Sequence, residues 1–407
     1  MRILFLNRDF PGPFRSLALH FGAASGVTTL FLSERGRRGE RLPGVRRLRV
    51  PFVPVEPEGR DEGERNMVRI LRRAAGAANA MLRLRRDGFA PDVVYASASD
   101  GLGFYAPDIF PQALHVARAE WFYTQGENHT FFTRGATRPP ADFAPARVRN
   151  LCQYNALDAC DLAVTDSLWQ KAQYPACLAE KIAVLAPGVD SGYFSPYPGL
   201  RFTGEACDLS GTPELITFSF RGNASTRGLP QFMEALPAVL TARPQCHALI
   251  MAAAPSEEGA SPVGDVRRWL DNAALPPRDA RRVHALEFRS VEEYRLLLRA
   301  STVHVYLTAP FTLSAGLFEA LACGALVVGS DTAPVREVLR HGENGFLCDF
   351  WDAARLAELL RGVLDRAPRL MPLREAARRT VLDRYELARQ TERHAALILD
   401  ALERKRG

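Results

Sequence analysis

The chain has 407 residues, 47% of them hydrophobic, and a formal net charge of +6, enough apolar material for two domain cores. Its basic residues are nearly all arginines spread over the whole length, and no Gly-Lys pair occurs, which excludes a lysine-dependent P-loop and disfavours nucleic-acid binding. Seven scattered cysteines without a CxxC pair, no bilayer-length apolar window and no signal-peptide layout predict a reduced cytoplasmic protein.

The first predicted strand, Arg2 to Leu6, leads through a loop with glycine and prolines into a helix that begins at about Arg15. A strand, a glycine-bearing loop and a helix in this order suit phosphate, because the N-terminus of a helix presents free amides and a positive pole. Gly12 is the candidate position in this loop. The alternative is a tight turn, since one glycine beside prolines also marks a turn.

After a loop of basic and polar residues, a long helix is predicted from Glu64 to Arg86. One face of this helix is basic and another is apolar. Such a helix can rest on anionic lipid at the inner face of a membrane, or it can be a surface helix with a solvated basic face. The predicted basic face comprises Arg65, Arg69, Arg72, Arg73 and Arg83, and the apolar face comprises Met67, Ile70, Leu71, Ala74, Ala78 and Met81.

Two further parallel strands are predicted at 92–96 and 114–117, and the second runs into Arg118, Glu120 and three aromatic residues. A carboxylate buried among aromatic rings is unfavourable unless it is paired, which makes Glu120 a candidate site residue. Arg118 offers the alternative, as a structural partner of Glu120. His115, inside the strand, is expected to be a core histidine.

A strand at 182–185 is followed by a Pro/Gly-rich passage, which predicts a hinge between two domains near 188–200. The second domain opens with a strand at 215–220, a glycine-containing loop and a helix from Leu229. Arg221 and Arg227 flank this loop at the end of the strand. Two arginines so placed can clamp a diphosphate from both sides.

The segment from Pro310 to Gly345 combines a helix start, an acid and a buried strand. Ser314 can cap a helix from about Ala315 to Cys323, and Glu319 lies about one turn inside it. The segment therefore offers phosphate a helix pole and offers hydroxyl groups an acceptor. The alternative is an ordinary αβ unit with Glu319 on a solvated face. The final stretch, 372–405, is predicted to be helical.

This segment resembles the C-terminal signature of family 4 glycosyltransferases of the GT-B fold, E-G-F-G-L-x-x-x-E-A-x-A-x-G-x-P-V-V. The run from Glu319 to Gly324 and the pair Val327 and Val328 match it. The first glutamate of the signature falls on Phe311, so the chain resembles a variant that lacks the first glutamate of the E-x7-E motif.

The resemblance implies two Rossmann-like α/β domains that face a cleft. Residues 1–190 would form the acceptor-binding domain and residues 191–385 the nucleotide-sugar-binding domain. Residues 386–407 would form a helix that packs back on the first domain.

The resemblance also implies the roles of the site residues. Arg221 and Arg227 would stabilise the departing diphosphate, Glu319 would hold the ribose, and Glu120 would take the place of a histidine near the reacting sugar. The remaining contacts to the donor would come from the first loop, from backbone groups that read the base, and from amides at the helix start: Gly12, Phe288, Arg289, Ser290, Leu313, Ser314, Ala315 and Gly316.

The expected function is that of a retaining hexosyltransferase that moves a sugar from a UDP-sugar to a hydroxyl of a glycan, lipid-linked or protein acceptor in bacterial cell-surface glycan synthesis. No D-x-D pattern and no His/Cys cluster occurs, so neither a metal nor a cofactor is expected. Two alternatives stay open: a GT-B pseudo-enzyme that binds nucleotide without transfer, and a GT-B epimerase or phosphorylase. The acceptor loops around 124–146 carry no interpretable motif.

Overall fold

The computed structural model describes residues 1–37, 39–50, 62–124, 132, 144–253, 262–272 and 275–407. The chain divides into two units. The N-terminal unit comprises Met1–Gly126, Gly135–Pro187 and Leu387–Gly407, and the C-terminal unit comprises Glu127–Arg134 and Gly188–Glu386. Each unit contains one parallel sheet with helices, so the predicted α/β class is confirmed. Most of the acceptor loops around 124–146 lie outside the described residues.

In the part of the chain that the structure describes, the sheet of the N-terminal unit has seven strands in the order β3-β2-β1-β4-β5-β6-β7. Side chains of β1 alternate between two cores, with Ile3 and Phe5 on one face and Leu4 and Leu6 on the other, which explains why the strand is apolar throughout. The strands are β1 (Arg2–Leu6), β2 (Thr28–Ser33), β3 (Val45–Arg49), β4 (Val93–Ser97), β5 (Leu114–Arg118), β6 (Leu162–Thr165) and β7 (Ile182–Val184).

Among the described residues, seven α-helices accompany this sheet. The last of them, α15, contributes Ala395, Ile398, Ala401 and Leu402 to the same core as Ile3. The helices are α1 (Arg15–Ala23), α2 (Glu62–Arg86), α3 (Ala106–Ile109), α4 (Ala144–Ala159), α5 (Leu168–Ala172), α6 (Ala176–Ala179) and α15 (Leu387–Arg406).

The prediction of a loop before α2 is wrong, because that stretch contains β2 and β3. β2 is buried from its second residue onward. β3 lies at the edge of the sheet and carries three arginines, which hid it from a search for apolar runs. Two of them are satisfied by polar groups nearby: Arg47 donates to Ser33 and to the carbonyl of Arg35, and Arg49 donates to the carbonyl of Glu34.

The predicted faces of α2 need two corrections. Arg73 is buried and its Nε lies 3.0 Å from Glu34 Oε1, so it does not belong to an exposed basic face. Leu71, predicted to be buried, is 43% exposed. The buried stripe follows a spacing of three or four residues and comprises Ile70, Ala74, Ala77, Met81 and Leu84.

The described residues of the C-terminal unit form a sheet of six strands in the order β10-β9-β8-β11-β12-β13. The strands are β8 (Glu214–Arg221), β9 (Cys246–Ala253), β10 (Val283–Glu287), β11 (Val303–Tyr306), β12 (Val327–Ser330) and β13 (Phe346–Cys348). The helices are α7 (Leu229–Ala242), α8 (Pro262–Asn272), α9 (Pro277–Ala280), α10 (Val291–Ala300), α11 (Ala315–Ala322), α12 (Ala333–Arg336), α13 (Ala353–Arg366) and α14 (Met371–Arg384).

The stretch predicted to be helical, 372–405, forms two helices, α14 and α15, and the helix is interrupted at Tyr385 and Glu386. The carbonyl of Tyr385 accepts a hydrogen bond from the amide of Val189 at 2.8 Å, and its ring packs on Phe318 with the ring centroids 4.7 Å apart. These tertiary contacts end α14 where no proline or glycine in the sequence marks a stop.

Each sheet has one point where successive connections leave in opposite directions. In the N-terminal unit it lies between β1 and β4, and in the C-terminal unit between β8 and β11. Open α/β sheets bind ligands beyond the carboxyl ends of the strands at such switch points. The loops after these four strands are therefore the places to search for a site.

Buried His304 on β11 makes the stability of the protein dependent on pH. Its side chain has no exposed surface, its Nδ1 lies 2.8 Å from Thr217 Oγ1, and burial lowers its pKa to about 3. The unfolded chain, with a histidine pKa of about 6.5, binds this proton first as the pH falls. The stabilisation is thus present above about pH 6.5 and is lost as the pH falls towards the folded-state pKa.

We expect the free energy of unfolding, measured by urea titration, to fall by about 1.4 kcal/mol per pH unit for this histidine between about pH 6 and about pH 4. His304→Asn, whose amide can take the place of Nδ1, should reduce the slope by about one proton. The matched control is His20→Asn, at an exposed position. An unchanged slope in His304→Asn would contradict this account.

Candidate active site

The switch point of the C-terminal unit brings together the loop after β8 and the loop after β11. The amide of Ala309 donates to the carbonyl of Thr226 at 2.8 Å, which joins the two loops. Arg227 Nη1 donates to Thr308 Oγ1 at 3.0 Å. Thr308 is fixed by Ser330 at the end of β12, which accepts from its amide and donates to its carbonyl. Arg227 is therefore held in place before any ligand binds.

Gly228 permits this close approach of the loops. Its φ of +75° is in the left-handed region, and a Cβ at this position would lie 2.3 Å from Leu307 Cβ. A residue with a side chain would have to push the two loops apart. The geometry of the switch point thus requires a glycine directly after Arg227.

Arg221, at the end of β8, and Phe311, in the loop after β11, also belong to this region. Arg221 is the last residue of β8 and its side chain is exposed. The ring of Phe311, at the position of the missing glutamate, has the guanidinium of Arg227 5.8 Å from its centroid. This distance is within the range of a cation–π interaction. An aromatic ring, not a carboxylate, thus accompanies the arginine here.

The start of α11 faces the same switch point, but the predicted cap is wrong in detail. Ser314 occupies the N-cap position without a side-chain capping bond. Its amide and its hydroxyl instead contact the Tyr306 hydroxyl, at 3.1 and 3.3 Å. The amides of Ala315 and Gly316 in the first turn have no acceptor within the helix. They can donate to a phosphate, as the sequence led us to expect for the segment that begins at Leu313.

Glu319 lies one turn into α11 beside Tyr294, which sequence analysis did not identify. Burial raises the pKa of Glu319 to about 7, and a hydrogen bond with the Tyr294 hydroxyl partly offsets this effect. The pKa of buried Tyr294 is raised well above its usual value, so its hydroxyl stays protonated and donates. The same hydroxyl would lie 2.8 Å from a Cβ on Gly316, so a glycine is needed there.

The residues proposed to meet the base follow β10. The Phe288 ring lies 6.0 Å from the Tyr294 ring, which connects this region to Glu319. The Phe288 amide donates to the carbonyl of Ala252, and Ser290 Oγ caps α10 by accepting from the Glu293 amide. Arg289 is exposed. The Phe288 carbonyl and the Arg289 backbone are the groups that we expect to contact a base.

In the N-terminal unit, Gly12 follows β1 at the other switch point. Its φ is +50°, and a Cβ would lie 2.4 Å from Asn7 Nδ2, which itself donates to the carbonyl of Asp9 at 2.7 Å. The tight turn that the sequence left open as an alternative accounts for this glycine. The turn leads directly into α1, as expected.

Glu120 is paired and partly exposed at once. Arg118 Nε lies 3.1 Å from Glu120 Oε1, and Arg118 Nη2 lies 2.8 Å from Asp166 Oδ2. The Arg118 side chain is only 14% exposed, against 37% for Glu120. The two carboxylates outweigh the effect of burial and raise the pKa of Arg118. Arg118, which the sequence offered as a structural partner of Glu120, thus does pair with it, and Glu120 remains partly exposed to solvent.

A second acid at this switch point was missed by sequence analysis. Asp100, in the loop after β4, accepts from the amides of Arg8 and Leu102, both at 2.9 Å. Burial raises its pKa to about 7 despite these two bonds. His115 is buried in β5 and contacts the carbonyl of Phe110 at 3.0 Å, as expected for a core histidine.

Comparisons with known proteins agree with this arrangement. The family model described as Glycosyl transferase family 4 group matches residues 25–194, and the one described as Glycosyl transferases group 1 matches residues 214–366. The N-acetyl-alpha-D-glucosaminyl L-malate synthase of Bacillus anthracis is 26% identical over 106 residues, which cover 26% of this chain and 28% of that protein.

Solved structures are similar over nearly the whole chain. HepE of Anabaena in complex with UDP-glucose has a TM-score of 0.73 and 16% identity, with 98% of this chain and 100% of that one covered. Sucrose-phosphate synthase of Thermosynechococcus elongatus has a TM-score of 0.73 and 14% identity, with 98% of each chain covered. At these identities the likeness establishes the fold, and the predicted GT-B type is confirmed.

Proposed function

The chain belongs to the family 4, group 1 glycosyltransferases, and from this membership we propose that it moves a sugar from a UDP-sugar to an acceptor hydroxyl with retention of configuration. Membership makes it an enzyme of the hexosyltransferase type. The uridine donor is proposed because the solved structures of similar fold include HepE with UDP-glucose and with UDP. Retention is proposed from the family resemblance.

The observation that carries the proposal is Arg227, preset between the two loops of the β8/β11 switch point. Arg227, held by its bond to Thr308, and the exposed Arg221 supply the positive charge that a departing diphosphate needs. The first-turn amides of α11 add hydrogen-bond donors. Glu319 would accept the ribose hydroxyls. Glu120 would lie near the anomeric carbon or the acceptor, held by Arg118.

Release of UDP tests the proposal directly. UDP-glucose, UDP-N-acetylglucosamine and GDP-mannose are supplied in turn, and free nucleoside diphosphate is measured with and without candidate glycan, lipid-linked and protein acceptors. We expect release from a UDP-sugar, faster with an acceptor. Binding of UDP without release from any donor would instead favour the pseudo-enzyme, which the loss of a glutamate at Phe311 makes the specific alternative. Turnover without an acceptor hydroxyl, or with inorganic phosphate, would favour an epimerase or a phosphorylase.

We propose that the reaction needs no metal, since arginines and helix amides can stabilise the diphosphate. Within the described ranges, no group of three or more His, Cys, Asp or Glu side chains could hold a metal ion. Extensive dialysis against EDTA should therefore leave the rate of UDP release unchanged to within about twofold. Loss of activity that Mg²⁺ or Mn²⁺ restores would contradict this.

Nucleoside binding should depend on the ionisation of Glu319. A carboxylate accepts two hydroxyl hydrogen bonds, whereas the protonated acid accepts fewer, so the competent form is populated above the pKa of about 7. The dissociation constant of uridine, which has no phosphate to titrate in this range, should be about tenfold higher at about pH 6 than at about pH 8. Calorimetry would measure it. Glu319→Gln should bind weakly at both pH values, and an equally steep dependence in that variant would exclude Glu319 as its origin.

The site of the reaction in the cell is also proposed. All seven cysteines are free, which suits a reducing cytoplasm. No helix formed by the described residues is both long and apolar enough to cross a bilayer. We propose that α2 contacts anionic lipid peripherally, since Leu71 and Leu82, each 43% exposed, accompany the exposed Arg72, Arg83 and Arg86. A role in bacterial cell-surface glycan synthesis follows if the acceptor is lipid-linked.

A further inference from the structure

The hydroxyl of Tyr306 lies at the start of α11, where a helix leaves its first amides without acceptors. Tyr306 is the last residue of β11, one of the two strands at the switch point of the C-terminal unit, and it is only 5% exposed. Its Oη lies 3.1 Å from the amide nitrogen of Ser314 and 3.3 Å from Ser314 Oγ. The phenolic oxygen thus takes the place of the side-chain cap that Ser314 does not form.

The directions of these bonds leave the hydrogen of the Tyr306 hydroxyl available. An amide nitrogen only donates, and the Ser314 hydroxyl donates as well, so both bonds end on the Tyr306 oxygen. A phenol has one hydrogen of its own to donate. Within the described part of the chain, no atom accepts a hydrogen bond from the Tyr306 hydroxyl. A buried donor without an acceptor is unfavourable, which indicates that a ligand supplies the acceptor.

The groups that accompany Tyr306 at the start of α11 are also donors. The first turn offers the amides of Ala315 and Gly316 and contains no acidic side chain. Ala315 is exposed, and Gly316 has no side chain to cover the backbone. Two residues after Tyr306, Thr308 holds the guanidinium of Arg227. A ligand that meets amides, a hydroxyl hydrogen and a guanidinium must supply acceptors and negative charge, as a phosphate does.

We propose that Tyr306 is a further binding residue for the diphosphate of the donor, an inference that rests on the proposed transferase function. Its hydroxyl donates to a phosphate oxygen beside the first turn of α11, while its oxygen holds the backbone of Ser314. A hydrogen bond to a charged oxygen is stronger than one between neutral groups. The sequence did not indicate this role, because a tyrosine in an apolar strand is indistinguishable from a core residue until the fold shows what its hydroxyl contacts.

Binding of UDP and of uridine to Tyr306→Phe tests the inference, because phenylalanine keeps the ring and removes only the hydroxyl. Calorimetry at about pH 8 keeps Glu319 ionised in both measurements. We expect the dissociation constant of UDP to rise by about tenfold or more, the usual loss for a hydrogen bond to a charged group. The dissociation constant of uridine, which has no phosphate, should change by less than about twofold.

The comparison with uridine separates ligand binding from a structural role. Glu319, which we assign to the ribose, lies on the helix that Ser314 begins, so a displaced α11 would weaken the binding of uridine and UDP alike. Equal losses for the two ligands, or no loss for either, would overturn the inference. Tyr197→Phe, at a position of the same unit that is 59% exposed, is the matched control and should keep both affinities.

A crystal structure of the unchanged protein with UDP decides the inference even if Tyr306→Phe does not fold. We expect a phosphate oxygen within about 3.0 Å of Tyr306 Oη. A Tyr306 hydroxyl that donates to a water molecule or to a protein group in that structure would overturn the inference. Failure of the unchanged protein to bind UDP would instead overturn the proposed donor itself. Because unchanged UDP affinity in Tyr306→Phe counts against the role of Tyr306 alone, the two failures are distinguishable.

Discussion

Arg227→Ala should lower the kcat for UDP release by about 10²–10³-fold, a loss of about 3–4 kcal/mol of transition-state stabilisation. The guanidinium is held by Thr308 before the donor binds, so it needs no rearrangement when charge develops on the departing diphosphate. Preset donors of this kind contribute more than groups that must be ordered during the reaction. The donor KM should rise less than kcat falls, because the charge of the leaving group is greatest in the transition state.

Three further variants make this measurement specific. Arg227→Lys keeps the charge that the resemblance implies at this position and should recover much of the rate. Arg221→Ala should also slow turnover, and less than Arg227→Ala, because the exposed Arg221 side chain must be ordered when the donor binds. Arg355→Ala, at an exposed ion pair of the same unit, is the control. Unchanged turnover in both Arg221→Ala and Arg227→Ala would contradict the proposal that these two arginines bind the diphosphate.

The buried strands of this protein were readable from the sequence, whereas an edge strand was not. β1 was predicted at Arg2 to Leu6 and is found there, because strands covered on both faces are continuous apolar runs. β3 at the sheet edge has no such run, because it carries three arginines, two of which are satisfied by hydroxyl and carbonyl groups contributed from elsewhere in the chain. The break between α14 and α15 was invisible for a similar reason, because a backbone bond to Val189 ends the helix.

Some residues of the site could likewise be predicted from the sequence, and others could not. Arg221, Arg227 and Glu319 were identified because they stand in a recognisable pattern along the chain. Tyr294 and Asp166 were not, because each acts on a residue distant in sequence: Tyr294 donates to Glu319, and Asp166 holds Arg118. A pattern in one segment shows which groups can touch a ligand. The groups that set the ionisation and the orientation of these ligand-contacting side chains can be identified only from the folded structure, because folding brings distant strands side by side.

Phe311 stands at the position of the first glutamate of the motif, so substitutions at Phe311 test what this variant of the motif does. Its ring lies under the guanidinium of Arg227, so a carboxylate introduced here meets the arginine that we assign to the diphosphate. Phe311→Glu would pair with Arg227 and repel the donor. Two like charges about 5 Å apart interact by about 3 kcal/mol at an effective dielectric constant of about 20. We therefore expect the affinity for UDP to fall by about a hundredfold, measured by calorimetry.

Phe311→Gln and Phe311→Tyr show whether charge is the cause. Glutamine removes the ring without adding a charge and should cost about tenfold or less, while tyrosine keeps the ring and should bind UDP nearly as well as the unchanged protein. A gain of UDP affinity or of sugar transfer in Phe311→Glu would contradict the expectation. It would mean that the glutamate of the family signature can function beside Arg227 even though Thr312, Leu313 and Ser314 replace the residues that normally follow it. The aromatic ring would then be what attenuates the enzyme, and the choice of donor would depend on this one position.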